Sequence, residues 1–288
     1  MPRIALATCE LQPDLYLEER ELLPRLAKRG VDAHAETWSR PADWGSYDLV
    51  VIRSTWDYFE RIAEFRTWLD ALENANVRVQ NSVNVVRWNL DKLYLLDLAE
   101  QGVRIVPTKF VRPGETAIIK DILAKYGWSE AVLKPTISAG AYRTSRFTAS
   151  EAASHQPELD SLAATCGAMI QPFLPEIATD GEWSLFFFAN ELSHAIIKRP
   201  ATGDFRVQTQ FGGLAERVQP PPELVAEAAK IIRLAPDPLL YARVDGVRRG
   251  DRFLLMELEA IEPYLFFSTA PDAMDRYVDA IVGAARAG

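Results

Sequence analysis

Three carboxylates near the C-terminal end of the chain are spaced for two neighbouring β-strands. Asp245 lies in one apolar stretch, and Glu257 and Glu259 lie in a second one. Gly246 and Gly250 fall between the two stretches, which suits the turn of a β-hairpin. Because strand residues two apart point to the same face, we expect Glu257 and Glu259 to project together, with Asp245 facing them from the paired strand.

This arrangement predicts a metal site. Carboxylates on one sheet face repel one another unless a cation lies among them. A set of oxygen ligands suits magnesium rather than zinc or copper. The alternative is a solvated acidic strand face, which the apolar flanking residues disfavour. We therefore predict that Asp245, Glu257 and Glu259 bind magnesium.

Composition narrows the class of protein. The 288 residues, 48% hydrophobic and 25% charged, are typical of a globular protein of two or three lobes. A net charge of −8 without a Lys/Arg cluster argues against a nucleic-acid surface. No apolar run approaches the ~20 residues of a membrane span, and no signal-peptide core opens the chain. Because Cys9 and Cys166 are far apart, we expect reduced thiols in a cytoplasmic protein and no zinc site.

The hydrophobic pattern of the N-terminal part alternates between strand and helix. Strands are expected at 3–8, 31–38 and 49–54, and helices at 15–29 and 59–74. Such alternation predicts a small parallel sheet.

The remainder of the chain mixes the two patterns in a different order. A helix at 81–101 is followed by strands and helices up to a break at Pro172 and Pro175. Long strands, a loop at 200–222, the carboxylate hairpin and a final helix from 271 complete the chain. We therefore expect an α+β fold with an α/β N-terminal lobe, divided into residues 1–84, 85–172 and 173–288.

Two lysines are placed to meet an anion. Lys134 ends an apolar strand, where a buried stem can present its ammonium group to a ligand. Lys92 opens a helix, where a cation opposes the helix dipole unless an anion is nearby. Small residues after Lys134, among them Ser138 and Gly140, allow backbone N–H groups to approach phosphate oxygens. Surface lysines and an ordinary hairpin loop are the alternatives.

A second pair of cations follows the break. Lys198 ends a strand, and Arg206 lies in a loop flanked by glycines. Phosphoryl transfer is catalysed mainly by positioning and by cations around the moving phosphate, so these residues and a magnesium site suit that reaction. A mobile polar loop is the alternative.

In this order along the chain, these residues resemble the ATP-grasp superfamily of ATP-dependent carboxylate–amine ligases. The resemblance covers about residues 85 to 270 and implies a nucleotide held between two α+β lobes, with ATP as co-substrate and one or two Mg²⁺ ions. Members of this family usually have Asn as the last metal ligand, whereas this chain has Glu259.

The resemblance also implies roles for individual residues. Lys92 and Lys134 hold the α- and β-phosphates beneath a flap that includes Ser138 and Gly140. Lys198 and Arg206 neutralise the γ-phosphate and the acyl phosphate formed from a small-molecule carboxylate. Gln171 and the backbone of Phe173 and Leu174 contact adenine in a hinge between the lobes that extends to Glu176. Glu182 binds the ribose hydroxyl groups.

Within the superfamily, the chain is most similar to the D-cycloserine ligases. The similarity rests on the compact length, the segment at 53–58 and the Glu257 to Pro263 ending. It implies antibiotic biosynthesis by cyclisation of O-ureido-D-serine, whose own nitrogen attacks its activated carboxylate. Candidate substrate contacts are Arg206, Cys9, Arg53, Ser54 and Asp57; packing of the 53–58 segment and a buried thiol are the alternatives.

Two rival functions are an intermolecular ligase of the glutathione synthetase or ribosomal-protein glutamate ligase type, and a non-catalytic nucleotide-binding sensor. The resemblance to this family implies a homodimer or homotetramer.

Overall fold

The computed structural model describes residues 1–287, which form three β-sheets surrounded by helices. In chain order the strands are β1 (Arg3–Thr8), β2 (Asp32–Thr37), β3 (Leu49–Ser54), β4 (Val79–Gln80), β5 (Lys109–Val111), β6 (Glu130–Pro135), β7 (Ser145–Thr148), β8 (Ala168–Pro172), β9 (Glu182–Phe188), β10 (Glu191–Arg199), β11 (Leu214–Val218), β12 (Tyr241–Arg249) and β13 (Arg252–Glu259). The α-helices are α1 (Leu22–Lys28), α2 (Ile62–Asn74), α3 (Val83–Asn89), α4 (Tyr94–Glu100), α5 (Ile119–Tyr126), α6 (Ala152–Ala163), α7 (Glu176–Thr179), α8 (Pro222–Ile232) and α9 (Pro271–Arg286).

The N-terminal sheet is parallel, as the alternating pattern predicts, with the order β2-β1-β3-β4. Both faces of β3 are buried. Leu49 and Val51 pack into one hydrophobic cluster, and Val50 and Ile52 pack into another on the opposite face. Such coverage on both sides explains why this strand reads as a continuous apolar run.

The first predicted helix is shorter than expected. A 3₁₀ turn at Leu17–Glu21 precedes α1, which begins only at Leu22. Pro24 is therefore the third residue of α1, within the first turn, where N–H groups have no acceptor inside the helix. This position removes the conflict between the proline and the helical pattern.

The other two sheets are antiparallel. The central sheet has the order β5-β8-β6-β7, and the C-terminal sheet has the order β11-β10-β9-β12-β13. The α+β fold with an α/β N-terminal lobe is confirmed. In the predicted hairpin, β12 pairs with β13 so that Asp245 lies opposite Glu257.

Several helices pack away from their neighbours in sequence. The C-terminal helix α9 covers the face of the N-terminal sheet that carries Ile4 and Leu6. Arg25 and Arg29 of α1 form ion pairs with Asp275 of α9 at 2.9 and 3.0 Å. Helix α4 packs against the C-terminal sheet. The division at 1–84, 85–172 and 173–288 stays a prediction.

Two predicted segments require correction. The helix expected at 81–101 is broken between α3 and α4, because the backbone N–H of Lys92 donates to the carbonyl of Thr136 and Asp91 accepts from the N–H of Leu93. The loop expected at 200–222 contains β11, which pairs with the edge of β10. No helix described within residues 1–287 has the length and hydrophobicity needed to cross a membrane.

Candidate active site

A cleft of about 1010 Å³ lies where the three sheets approach one another. Many residues predicted from the sequence line it, although they come from distant segments. They are Lys92, Lys134, Ser138, Gly140, Gln171, Phe173, Leu174, Glu182, Lys198, Arg206, Asp245, Glu257 and Glu259.

The carboxylates of the hairpin have a cation among them that sequence reasoning missed. Arg243 precedes Asp245 by two residues on β12 and therefore shares its face. Its guanidinium donates to Asp245 at 2.8 Å and also bonds to Glu259. The spacing of two was the signal that could have identified Arg243 from the sequence.

Burial and neighbouring charges separate the pKa values of these carboxyl groups. Burial raises the pKa of Asp245, but Arg243 and Lys198 more than offset this and lower it to about 2. Burial outweighs the effect of Arg243 on Glu259 and raises its pKa to about 7. Negative charge at Glu259 is therefore only partly compensated.

Lys198 connects the hairpin to β9. Its ammonium group lies 2.6 Å from Glu182 and 3.4 Å from Asp245, and Ser184 donates to Asp245 at 2.5 Å. Burial disfavours the charged ammonium group, but the two carboxylates outweigh burial and raise the pKa of Lys198. Lys198 is thereby held as a cation at the floor of the cleft.

Lys92 joins the hairpin to the small-residue loop. Its Nζ donates to the carbonyl oxygen of Ser138 at 2.7 Å and lies 3.1 Å from Glu257. The anion expected near this lysine is thus supplied in part by Glu257.

Lys134 differs from the other cations of the cleft. Within residues 1–287 no carboxylate lies within ion-pair distance of its ammonium group. Burial lowers its pKa. A desolvated and unpaired ammonium group is a favourable partner for an incoming anion.

The small-residue loop after β6 contacts two other parts of the protein. The ring of Tyr142 lies 5.1 Å from that of Phe59, and Gln210 donates to the carbonyl of Gly140 at 3.2 Å. The loop therefore bridges the N-terminal lobe and the segment that carries Arg206, above the cleft.

Arg206 is oriented by its own loop. Its guanidinium donates to Asp204 at 2.8 Å and lies 3.7 Å from the centre of the Phe211 ring. The side chain is only partly exposed, and it borders the same cleft as Lys134.

The predicted adenine side of the cleft is largely hydrogen-bonded within the protein. Gln171 donates to Thr108 at 2.9 Å, and the N–H of Phe173 donates to the carbonyl of Glu130 at 3.1 Å. Glu176 lies outside the cleft lining, because it forms an ion pair with Arg249 at 2.6 Å.

The four predicted substrate contacts of the N-terminal lobe also lie outside the cleft lining. Arg53 is fully buried and bonds to Glu19, which also accepts from Ser54 at 2.6 Å. Asp57 accepts from the indole of Trp38 at 2.7 Å, and Cys9 is buried. From the same lobe, Tyr16, Trp56, Tyr58 and Phe59 do line the cleft.

Magnesium suits the donor chemistry of the hairpin, since Asp245, Glu257 and Glu259 offer only carboxylate oxygens. The partly compensated charge of Glu259 also leaves room for a further cation. In the described part of the chain, however, no three His, Cys, Asp or Glu side chains are grouped as a metal-binding cluster. Arg243 and Lys92 bind these carboxylates instead.

Comparison with known proteins identifies the family. A family model described as the N-terminal domain of D-cycloserine synthetase DcsG matches residues 4–81. Cycloserine biosynthesis protein DcsG of Streptomyces lavendulae is 32% identical over 297 aligned residues, covering 96% of this chain and 97% of that protein. The chain belongs to the D-cycloserine synthetase DcsG family.

Solved structures agree with this membership. The crystal structure of D-cycloserine synthetase DcsG matches with a TM-score of 0.89 and 30% identity over 99% of this chain and 100% of that chain. The ATP-grasp ligase PsnB, solved with a precursor variant, Mg and ADP, matches with a TM-score of 0.67 and 15% identity over 98% of each chain. The predicted ATP-grasp fold, ligase class and resemblance to D-cycloserine ligases are confirmed, which removes the non-catalytic sensor as an alternative.

Proposed function

We propose that this enzyme uses ATP and magnesium to cyclise O-ureido-D-serine to D-cycloserine. The observation that carries the proposal is the cleft, which gathers an unpaired lysine, the Arg206 loop and the carboxylate hairpin from segments far apart in sequence. Whole-length similarity to DcsG supports the choice of substrate. The free thiols of Cys9 and Cys166 suit a cytoplasmic enzyme.

In this proposal the two lysines near the small-residue loop bind the phosphates of ATP. No carboxylate of residues 1–287 pairs with the ammonium group of Lys134, and Lys92 is fixed by Ser138. Adenine lies against Phe173 and Leu174, and the ribose hydroxyl groups donate to Glu182. Glu176 is not assigned a contact to the nucleotide, because it lies outside the cleft lining and forms an ion pair with Arg249.

Asp245, Glu257 and Glu259 would hold magnesium, which would supply positive charge to the phosphates of ATP. Arg243 and Lys92 would then share these carboxylates with the metal. Lys198 remains a cation next to Asp245 and limits the net negative charge of the cleft.

The chemistry then follows in two stages. A substrate carboxylate oxygen bonds to the γ-phosphorus as the bond to ADP breaks, and Arg206 and Lys198 stabilise the charge on the moving phosphoryl group. The ureido nitrogen bonded to oxygen attacks the acyl carbon, phosphate leaves, and the ring closes. Addition of water to the carbamoyl group releases it as ammonia and carbon dioxide.

The loop that contains Gly140 and Tyr142 has a protective role in this scheme. Its contacts with Phe59 and Gln210 bring it over the cleft. A closed loop limits attack of water on the acyl phosphate before the internal nitrogen reacts.

The test is ADP release with ATP, magnesium and O-ureido-D-serine, against the L-enantiomer and a sample without substrate. We expect release only with the D-compound, and a cyclic product by mass spectrometry. A requirement for an added amine would instead indicate the intermolecular ligase.

Two variants probe the assigned groups. We expect Arg206→Ala to retain ATP binding while turnover falls about 100- to 1,000-fold, because a cation facing the phosphoryl group is lost; Arg252→Ala, at an exposed arginine, is the matched control. We expect Glu257→Gln to abolish magnesium-dependent turnover. Full activity of this variant at low magnesium would contradict the metal assignment.

A further inference from the structure

The segment that follows β13 is held in place by three side chains. The indole N–H of Trp56 donates to the carbonyl of Glu262 at 3.0 Å, and Arg53 donates to that of Pro263 at 3.1 Å. Arg243 donates to the next carbonyl, that of Tyr264, at 3.1 Å. Three consecutive carbonyl groups are therefore fixed, two of them by the 53–58 segment of the N-terminal lobe.

Aromatic rings form a wall of the cleft beside this segment. The ring of Tyr16 lies 5.1 Å from that of Trp56 and 5.3 Å from that of Tyr264, and the latter two rings are 6.4 Å apart. All three residues line the cleft. Faces of electron-rich rings attract cations, and more strongly where water is excluded.

Glu262 lines the same cleft. Among the described residues, no side chain donates a hydrogen bond to its carboxylate, and no lysine or arginine lies within ion-pair distance of it. By contrast, Glu257, Glu259 and Asp245 each pair with a lysine or arginine. Burial raises the pKa of Glu262 to about 8. The carboxylates of Glu259 and Glu257 add to this shift and Lys92 opposes it, so this position disfavours a carboxylate without a further cation.

We infer that Glu262, beside the ring wall of Tyr16, Trp56 and Tyr264, binds the α-ammonium group of the amino-acid substrate. An ammonium group satisfies both an unpaired carboxylate and aromatic faces. Magnesium is the competing cation, because Glu257 and Glu259 act on Glu262 in the same cleft, whereas the ring faces favour an ammonium group. The inference rests on the proposed function, because it requires a substrate with a free α-amino group.

Such a site has two consequences for the reaction. It fixes the α-carbon relative to the acyl phosphate, so that the ureido nitrogen, rather than water, reaches the acyl carbon. It also keeps the α-amino group protonated and unable to act as a nucleophile. The 53–58 segment thereby acts by positioning Glu262 and Pro263, although Arg53 itself does not reach the cleft.

The experiment compares Glu262→Gln with wild-type enzyme, using O-ureido-D-serine and its analogue without the α-amino group. We expect Glu262→Gln to raise the KM for O-ureido-D-serine about 10- to 100-fold, the range of a charge-assisted hydrogen bond. The KM for ATP and the magnesium dependence should change less than twofold. Both enzymes should bind the deaminated analogue equally weakly. Glu191→Gln, at an exposed glutamate, is the matched control.

A second pair of variants tests the ring wall. Tyr16→Leu should raise the KM for O-ureido-D-serine several-fold, whereas Tyr16→Phe, which keeps the ring, should not. Melting curves and ATP affinity show whether each variant is folded.

The outcomes separate this inference from the proposed function. An unchanged KM for O-ureido-D-serine in Glu262→Gln overturns the inference alone, as does an equal loss of affinity for the deaminated analogue. A shifted magnesium dependence makes Glu262 a metal ligand and also overturns it. If wild-type enzyme does not turn over O-ureido-D-serine, the proposed substrate and the inference both fail.

Discussion

Removal of the buried Arg53 guanidinium should destabilise the protein more than removal of the whole ion pair. The side chains of Arg53 and Glu19 are 0% and 1% exposed, so Arg53→Met leaves a carboxylate buried without its cation. Breaking one side of such a pair costs about 3–5 kcal/mol. For a chain of this size that corresponds to a fall in Tm on the order of 10 °C.

The double variant Arg53→Met with Glu19→Gln removes both charges. The side-chain amide that this variant carries in place of the Glu19 carboxylate still accepts from Ser54. The main remaining loss is the unpaired carbonyl of Pro263, which costs about 1–2 kcal/mol. We therefore expect the double variant to recover about 2 kcal/mol relative to Arg53→Met. Thermal and urea denaturation at neutral pH measure the difference. A double variant that is no more stable than Arg53→Met would refute the argument from an unpaired buried charge.

Three further predictions concern pH and packing. Because burial lowers the pKa of Lys134 below the ordinary 10.5, ATP affinity should decline as pH rises through that pKa. In Lys134→Arg, titration of ATP binding should show the decline at a higher pH. Identical pH profiles for the two proteins would contradict this prediction. The pKa of His194 is lowered by burial to about 4 from 6.5, so folding stability should fall by about 3 kcal/mol between these pH values as the unfolded chain takes up a proton. Denaturation of His194→Gln should lack this loss. A Cβ added at Gly246 would overlap the carbonyl oxygen of Leu254, so Gly246→Ala should cost about 1–3 kcal/mol in melting experiments, whereas Gly283→Ala in α9, with open space around it, should be neutral or stabilising by up to about 1 kcal/mol.

The hairpin can be predicted from the sequence because the alternation of strand residues between two faces depends only on neighbours along the chain. A period of two along β12 and β13 places Asp245 opposite Glu257, as predicted. The same period places Arg243 beside Asp245, so an arginine supplies positive charge among the carboxylates where the pattern predicts only magnesium. An arginine two residues from a buried aspartate can by itself stabilise a group of carboxylates on one sheet face.

Other features depend on contacts between segments far apart in the chain. The helical pattern continues through residues 90–93, and only a hydrogen bond to the distant Thr136 shows why the helix breaks there. The strand β11 is an exposed edge, so its side chains lack the alternation that marks a half-buried strand. The resemblance of the 53–58 segment to D-cycloserine ligases predicts Arg53 at the substrate, yet its partners Glu19 and Pro263 hold it in the interior.

The position of α9 bears on how the protein is made. The N-terminal sheet needs α9 to cover the face that carries Ile4 and Leu6, and α9 leaves the ribosome after α1 to α8. At a translation rate of about 5–20 residues per second, that face stays uncovered for roughly 10 to 60 seconds before α9 is synthesised. During synthesis the first strands are therefore exposed to chaperones and to other nascent chains. Loss of α9 would leave the first lobe with an open apolar face.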